Sequence, residues 1–116
     1  MSGIYSFRVE LARARRYSWA LRGIGARPRR GWEQRAGCAG RPLELFFGGR
    51  IERVEALCSS CPVRLDCIAA EHEVEAGAPR TRVYGTRGGT TAVQRWDARR
   101  EIARCARLVA EGARTA

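Results

Sequence analysis

The sequence has no lysine: all 22 of its basic residues are arginine, set against 12 acidic residues for a formal net charge of +10. Uniform arginine beside many Ala and Gly is what GC-rich coding produces, so the missing lysine excludes nothing by itself. Long apolar runs are missing too. No stretch approaches the ~20 apolar residues that a membrane-crossing helix needs. The first thirty residues carry Arg8, Arg13, Arg15, Arg16, Arg22, Arg27, Arg29 and Arg30 and lack the apolar centre of a secretory signal. The expected location is therefore cytoplasmic, with no membrane partner. Only one histidine is present, His72, set among Glu71, Glu73 and Glu75 and read as solvated. With no second histidine and no organised carboxylate group beside it, no catalytic residue is expected and the chain is not read as an enzyme. Internal repeats and low-complexity tracts are likewise absent.

The positive charge, concentrated in 116 residues, favours a polyanionic partner such as nucleic acid. So short a chain is below the size at which a hydrophobic core is comfortably self-sufficient, and a covalent or metal staple is expected. Five cysteines are available: Cys38, Cys58, Cys61, Cys67 and Cys105. Their odd number rules out complete intramolecular disulfide pairing. In a reducing compartment, clustered cysteines point to a metal centre rather than to structural disulfides.

Periodicity predicts a mostly α fold: a small bundle of four or five short helices around a four-cysteine centre, with a Gly/Arg-rich turn before the last helix. Residues 1–30 read as a basic N-terminal extension, 31–78 as the cysteine-rich core, and 79–116 as the Gly/Arg-rich turn and a basic, DNA-contacting helix. Within the extension, Ile4, Phe7, Leu11, Ala14 and Leu21 suggest a helix over residues 4–22, followed by a loop around Pro28. Trp32 and Ala36 lead to Cys38. Pro42 suits the first turn of a short helix carrying Leu43, Leu45, Phe46 and Phe47.

Ile51, Val54, Leu57 and Cys58 recur at helical spacing. Pro62 then opens a helix whose apolar stripe is Val63, Cys67, Ala70 and Val74, stopped by Gly77 and Pro79. Thr91 and Gln94 have the spacing of a capping box. They start a helix expected to reach about residue 110, with Ala98, Ile102, Cys105 and Val109 on its apolar stripe, so Cys105 is read as a small buried thiol.

Cys58 and Cys61 form a CxxC pair, Cys67 follows six residues later, and Cys38 comes from a separate segment upstream. Four thiolates suit zinc or a cubane iron–sulfur cluster equally in number. Structural zinc sites commonly combine two tight knuckles, and here there is one, so the looser spacing favours the bulkier cluster. Trp32, Leu45, Phe46 and Phe47 are placed to exclude water from it, and Arg64 and the helix opening at Pro62 bring positive potential.

These motifs resemble the WhiB-like (Wbl) regulators of actinobacteria and their phages over roughly residues 31–100. The resemblance is carried by Trp32 ahead of Cys38, by PLELFF at Pro42–Phe47, by CSSCPVRLDC at Cys58–Cys67 and by TTAVQR at Thr90–Arg95. In place of the family's Gly-(Val/Ile)-Trp-Gly-Gly turn stand Arg82, Val83, Tyr84, Gly85 and Thr86, with Gly88 and Gly89 displaced. The resemblance implies a [4Fe–4S] cluster on Cys38, Cys58, Cys61 and Cys67, with sensitivity to oxygen or nitric oxide. It also implies binding to the C-terminal domain of a housekeeping sigma factor within RNA polymerase, and promoter contacts from the basic C-terminal part.

Trp32, Phe46, Phe47 and Tyr84 are the expected partner-facing aromatics. Arg80, Arg82 and Arg87 are expected to enter or track a minor groove, and Arg95, Arg99 and Arg100 to hold phosphates. Two alternatives stand beside this reading: a protein disulfide reductase using Cys58 and Cys61, an activity attributed to some members, and a zinc-stapled nucleic-acid-binding adaptor.

Overall fold

The computed structural model describes residues 14–48 and 50–115. These residues are mostly helical, and among them the only strand-like feature is an isolated antiparallel bridge between Arg87 and Thr90. Helix α1 covers residues 14–24; residues 4–13 of the expected first helix lie outside the described residues. Two single 3-10 turns follow, Trp32–Arg35 and Leu43–Phe46. Helix α2 is Ile51–Ser59, α3 is Arg64–Glu75, a further 3-10 turn is Arg80–Arg82, and α4 is Ala92–Thr115.

Local chemistry explains several of these elements. Pro42, with φ at −59°, stands immediately before the turn that carries Phe46 inward. Phe46 packs with Val54 and Cys58, which lie four residues apart on the inner face of α2. At the start of α4, the Thr91 backbone N–H donates to the Gln94 side-chain carbonyl at 2.9 Å, and the Gln94 N–H donates to the Thr91 hydroxyl at 3.1 Å. This is the reciprocal pairing expected of a capping box.

Helix α3 departs from its expected stripe. It begins at Arg64, and while Val63 is buried, Val74 is 78% exposed. The buried face of the helix is instead Arg64, Asp66, Ile68, Ala69 and Glu75. Three of these are charged, and each has an ion partner from elsewhere in the chain. Hydrophobic periodicity does not register a face built that way.

The apolar stripe of α4 fails in its second half. Ala98 is buried, but every described side chain from Ile102 to Arg114 is exposed, Cys105 among them. The burial expected for Cys105 is therefore incorrect: α4 runs past the body, and none of the described elements covers it there. His72 is also corrected, since it is half-buried rather than solvated, with Nδ1 lacking a partner. Burial and the nearby Arg99 charge hold its pKa below the usual imidazole value. No described helix is long and apolar enough to cross a membrane.

Candidate metal centre

Cys38, Cys58, Cys61 and Cys67 line one cavity together with Phe46, Arg64, Thr86, Arg87 and Gly88. All four are free thiols. Cys38 comes from the loop after the first 3-10 turn, Cys58 from the last turn of α2, Cys61 from the α2–α3 connection and Cys67 from α3. The CxxC spacing works because the helix ends between its two members: the Cys61 N–H donates to the Cys58 carbonyl at 3.1 Å, which closes the chain into a tight corner. Among the described residues, no group of three or more His, Cys, Asp or Glu side chains is placed to hold a metal ion. The four cysteines nevertheless share one cavity.

The cavity wall is suited to anionic sulfur. The Gly37 N–H donates to Cys61 Sγ at 3.5 Å, and the Gly88 backbone amide stabilises the charged form of Cys67. Charge from Arg64 favours the Cys58 thiolate, and charge from Arg87 favours that of Cys67. Burial nevertheless wins at both positions. Desolvation, reinforced by the neighbouring Cys67, pushes the Cys58 thiol up to about 12, and desolvation pushes Cys67 up to about 11. Burial thus favours the protonated form at both positions, and a bound cation would compensate the thiolates.

The Gly/Arg-rich turn closes this cavity, held by two buried arginines. Arg64 donates from Nε to the Gly88 carbonyl at 2.7 Å and from Nη2 to both Glu55 carboxylate oxygens at 3.2 and 3.1 Å. Arg95 donates to the carbonyls of Tyr84, Gly85 and Thr90 at 2.8, 3.0 and 2.8 Å. A third tie joins the Thr86 N–H to the Phe46 carbonyl at 2.9 Å. Gly88 has φ at +58°, and a Cβ built there would lie 2.5 Å from Ile68 Cγ1 and 3.1 Å from the Arg64 carbonyl. Only glycine fits a turn pressed so closely onto α3.

The expected contact residues divide on inspection. Phe46 is 8% exposed and belongs to the core beneath the cavity, so its expected place on a partner-facing surface is corrected. Phe47 and Tyr84 are 43% and 59% exposed, and Trp32 is half-buried. Arg80, Arg82 and Arg100 are exposed. Arg87 is partly buried at the cavity, 3.6 Å from Glu71 and 5.7 Å from the Phe47 ring centre. Arg99 is largely covered and donates to Glu75 at 2.8 Å.

Arg95 is fully buried, with its guanidinium engaged by Glu75 and backbone carbonyls. The expectation that it holds a phosphate is overturned, because a group with no surface meets no phosphate. Sequence reasoning missed the cavity-facing roles of Thr86, Arg87 and Gly88. The displaced Gly88–Gly89 pair was the available signal.

No curated protein and no solved structure matches the chain. A family model described as "Transcription factor WhiB" matches residues 32–98, a span that contains all four cavity cysteines, the turn above them and the buried start of α4. That match covers more than half of the sequence, and the chain belongs to the WhiB family of transcription factors.

Proposed function

We propose that this protein is a transcription regulator that holds a [4Fe–4S] cluster on Cys38, Cys58, Cys61 and Cys67. It acts by binding the C-terminal domain of a housekeeping sigma factor within RNA polymerase, together with promoter DNA. The observation that carries this reading is the shared cavity: four free thiols from separate segments line one space walled by backbone amides and two arginines. A zinc ion draws four sulfurs to about 2.3 Å from one point, whereas a cubane takes its thiolates at separate corners. The preference for the cluster rests on the cysteine spacing, one tight CxxC pair with two isolated cysteines, and on the family match over residues 32–98.

When bound, the cluster supplies a redox-sensitive group whose loss alters the surface around it. The chain's own residues do the rest. Phe46 supports the cavity from below and Thr86–Gly88 covers it. Phe47 and Tyr84 carry exposed aromatic surface beside the turn, and the ring of Phe47 packs against Gly85. Exposed aromatic rings of this kind anchor protein partners, and the sigma-factor domain is the proposed occupant, with the half-buried Trp32 as a further proposed contact. Arg80, Arg82 and Arg100 are exposed and available to DNA.

Anaerobic co-elution with a sigma-factor C-terminal domain tests the reading. The wild-type protein is expected to co-elute, and Phe47→Ala combined with Tyr84→Ala is expected to abolish it while the cluster spectrum persists. Undiminished co-elution of the double variant would remove the proposed docking surface.

A further inference from the structure

Helix α1 lies outside the span that matches the family, yet it touches α3 at two places that lead to the cavity. Arg64 Cζ lies 4.1 Å from the centre of the Trp19 ring, and Arg22 Cζ lies 4.4 Å from the same ring. Through its other edge, Arg64 donates to the Gly88 carbonyl at 2.7 Å. The second contact is Gly23, which sits so close to Ile68 that a Cβ there would overlap the isoleucine side chain. The fully buried Ile68 meets Gly88 on its other branch. Just after α1, Arg29 grips α3 again, donating from its backbone N–H and its guanidinium to Asp66 at 2.8, 3.0 and 2.7 Å.

Two side chains of α3, Arg64 and Ile68, are therefore held between α1 and Gly88. Gly88 in turn lines the cavity with the four cysteines. We propose that α1 is a clamp for the cysteine cavity, with Trp19 as a positioning residue that acts through Arg64 to keep the Thr86–Gly88 cover closed over the metal centre. The aromatic face suits this role because it holds the guanidinium flat while leaving its N–H groups free to bond Gly88 and Glu55. Without it, Arg64 retains its hydrogen bonds but loses the surface that fixes its plane, and the cover opens more often. The proposal rests on the cluster reading above for the identity of the centre, but not for the cover itself.

The test compares full-length wild type with Trp19→Ala, Trp19→Phe and, as a second break in the clamp, Arg29→Gln. Each is purified anaerobically and then exposed to air while the visible absorption is followed. The Ala variant is expected to start with a wild-type spectrum and to bleach roughly five-fold faster, as loss of one cation–π contact of about 1 kcal/mol allows. Trp19→Phe should restore most of the lifetime, since it retains an aromatic face, and Arg29→Gln should shorten it. In parallel, iodoacetamide labelling of Cys58 and Cys67 in the unexposed proteins is read by mass spectrometry. Faster labelling in the Ala variant supports the clamp whatever the centre is. A wild-type protein with no iron–sulfur absorption, but with labelling still accelerated by Trp19→Ala, would overturn the cluster reading and leave the clamp standing. Equal bleaching and equal labelling in wild type and both clamp-breaking variants would overturn the clamp.

Discussion

Arg95 of α4 and Glu75 of α3 form a buried ion pair. The Arg95 Nε and Nη2 atoms donate to the two carboxylate oxygens at 3.1 and 2.9 Å, and the two side chains are 0% and 3% exposed. Burial pulls the Glu75 carboxyl upward, but its bonds and charges with Arg95 and Arg99 outweigh that and hold it below its usual value. The remaining Arg95 donors reach the carbonyls of the turn that covers the cysteines. One guanidinium therefore joins α3, α4 and the cavity cover. Arg95→Ala would leave Glu75 buried without its main partner and several carbonyls without donors, a loss of about 3–5 kcal/mol. Anaerobic urea unfolding followed by circular dichroism measures it. A change under ~1 kcal/mol would show that the pair is not a keystone.

Gly88→Ala should disturb the cavity more than its size suggests. A Cβ there meets Ile68 and the Arg64 carbonyl, and φ lies in the left-handed region, so strain adds about 1 kcal/mol or more to the clash. The expected result is reduced metal incorporation and a lower melting temperature, read by metal analysis and thermal unfolding. A wild-type metal content at wild-type stability would contradict the placement of the cover.

Asp66 gives a pH signature. Hydrogen bonds from Arg29, set against burial, lower its carboxyl to about 2, whereas an unfolded aspartate titrates near ~3.9. A depressed folded-state value contributes stability that is fully present above about pH 4 and is lost as pH falls toward 2. Asp66→Asn should be less stable than wild type at pH 6, and the gap should close between pH 4 and pH 2. A gap independent of pH over that range would mean that the Arg29 contact is not an ionic one.

For DNA, replacement of Arg82 or Arg100 by Ala should each lower the magnitude of the log–log salt slope of promoter binding by ~0.9 if each meets one phosphate. Binding measured with the sigma partner at several salt concentrations tests this. An unchanged slope in both variants would remove them from the interface.

How much of this was legible in the sequence depended on how local each cause is. The capping box of α4 lies within four residues, and Thr91 and Gln94 carry it wherever the helix packs. Cys58, Cys61 and Cys67 could be grouped from spacing alone, and Pro42 and Phe46 marked the turn that supports them. The errors came from partners distant in sequence. Arg95 looked like a surface cation because its carboxylate lies 20 residues earlier, and Asp66 finds Arg29 across 37 residues. Cys105 and Val109 repeat at core spacing on a helix that has left the core, which periodicity cannot detect.

The central claim is that the four cavity cysteines hold a [4Fe–4S] cluster. Its most direct test is iron, sulfide and zinc analysis of anaerobically purified protein, with visible and EPR spectra, for wild type and for single Cys→Ser variants at 38, 58, 61, 67 and 105. The account predicts about four iron and four sulfide per wild-type chain, loss of the normal cluster in each of the first four variants, and retention in Cys105→Ser. Stoichiometric zinc without sulfide, or a normal cluster in any of the four cavity variants, would contradict it.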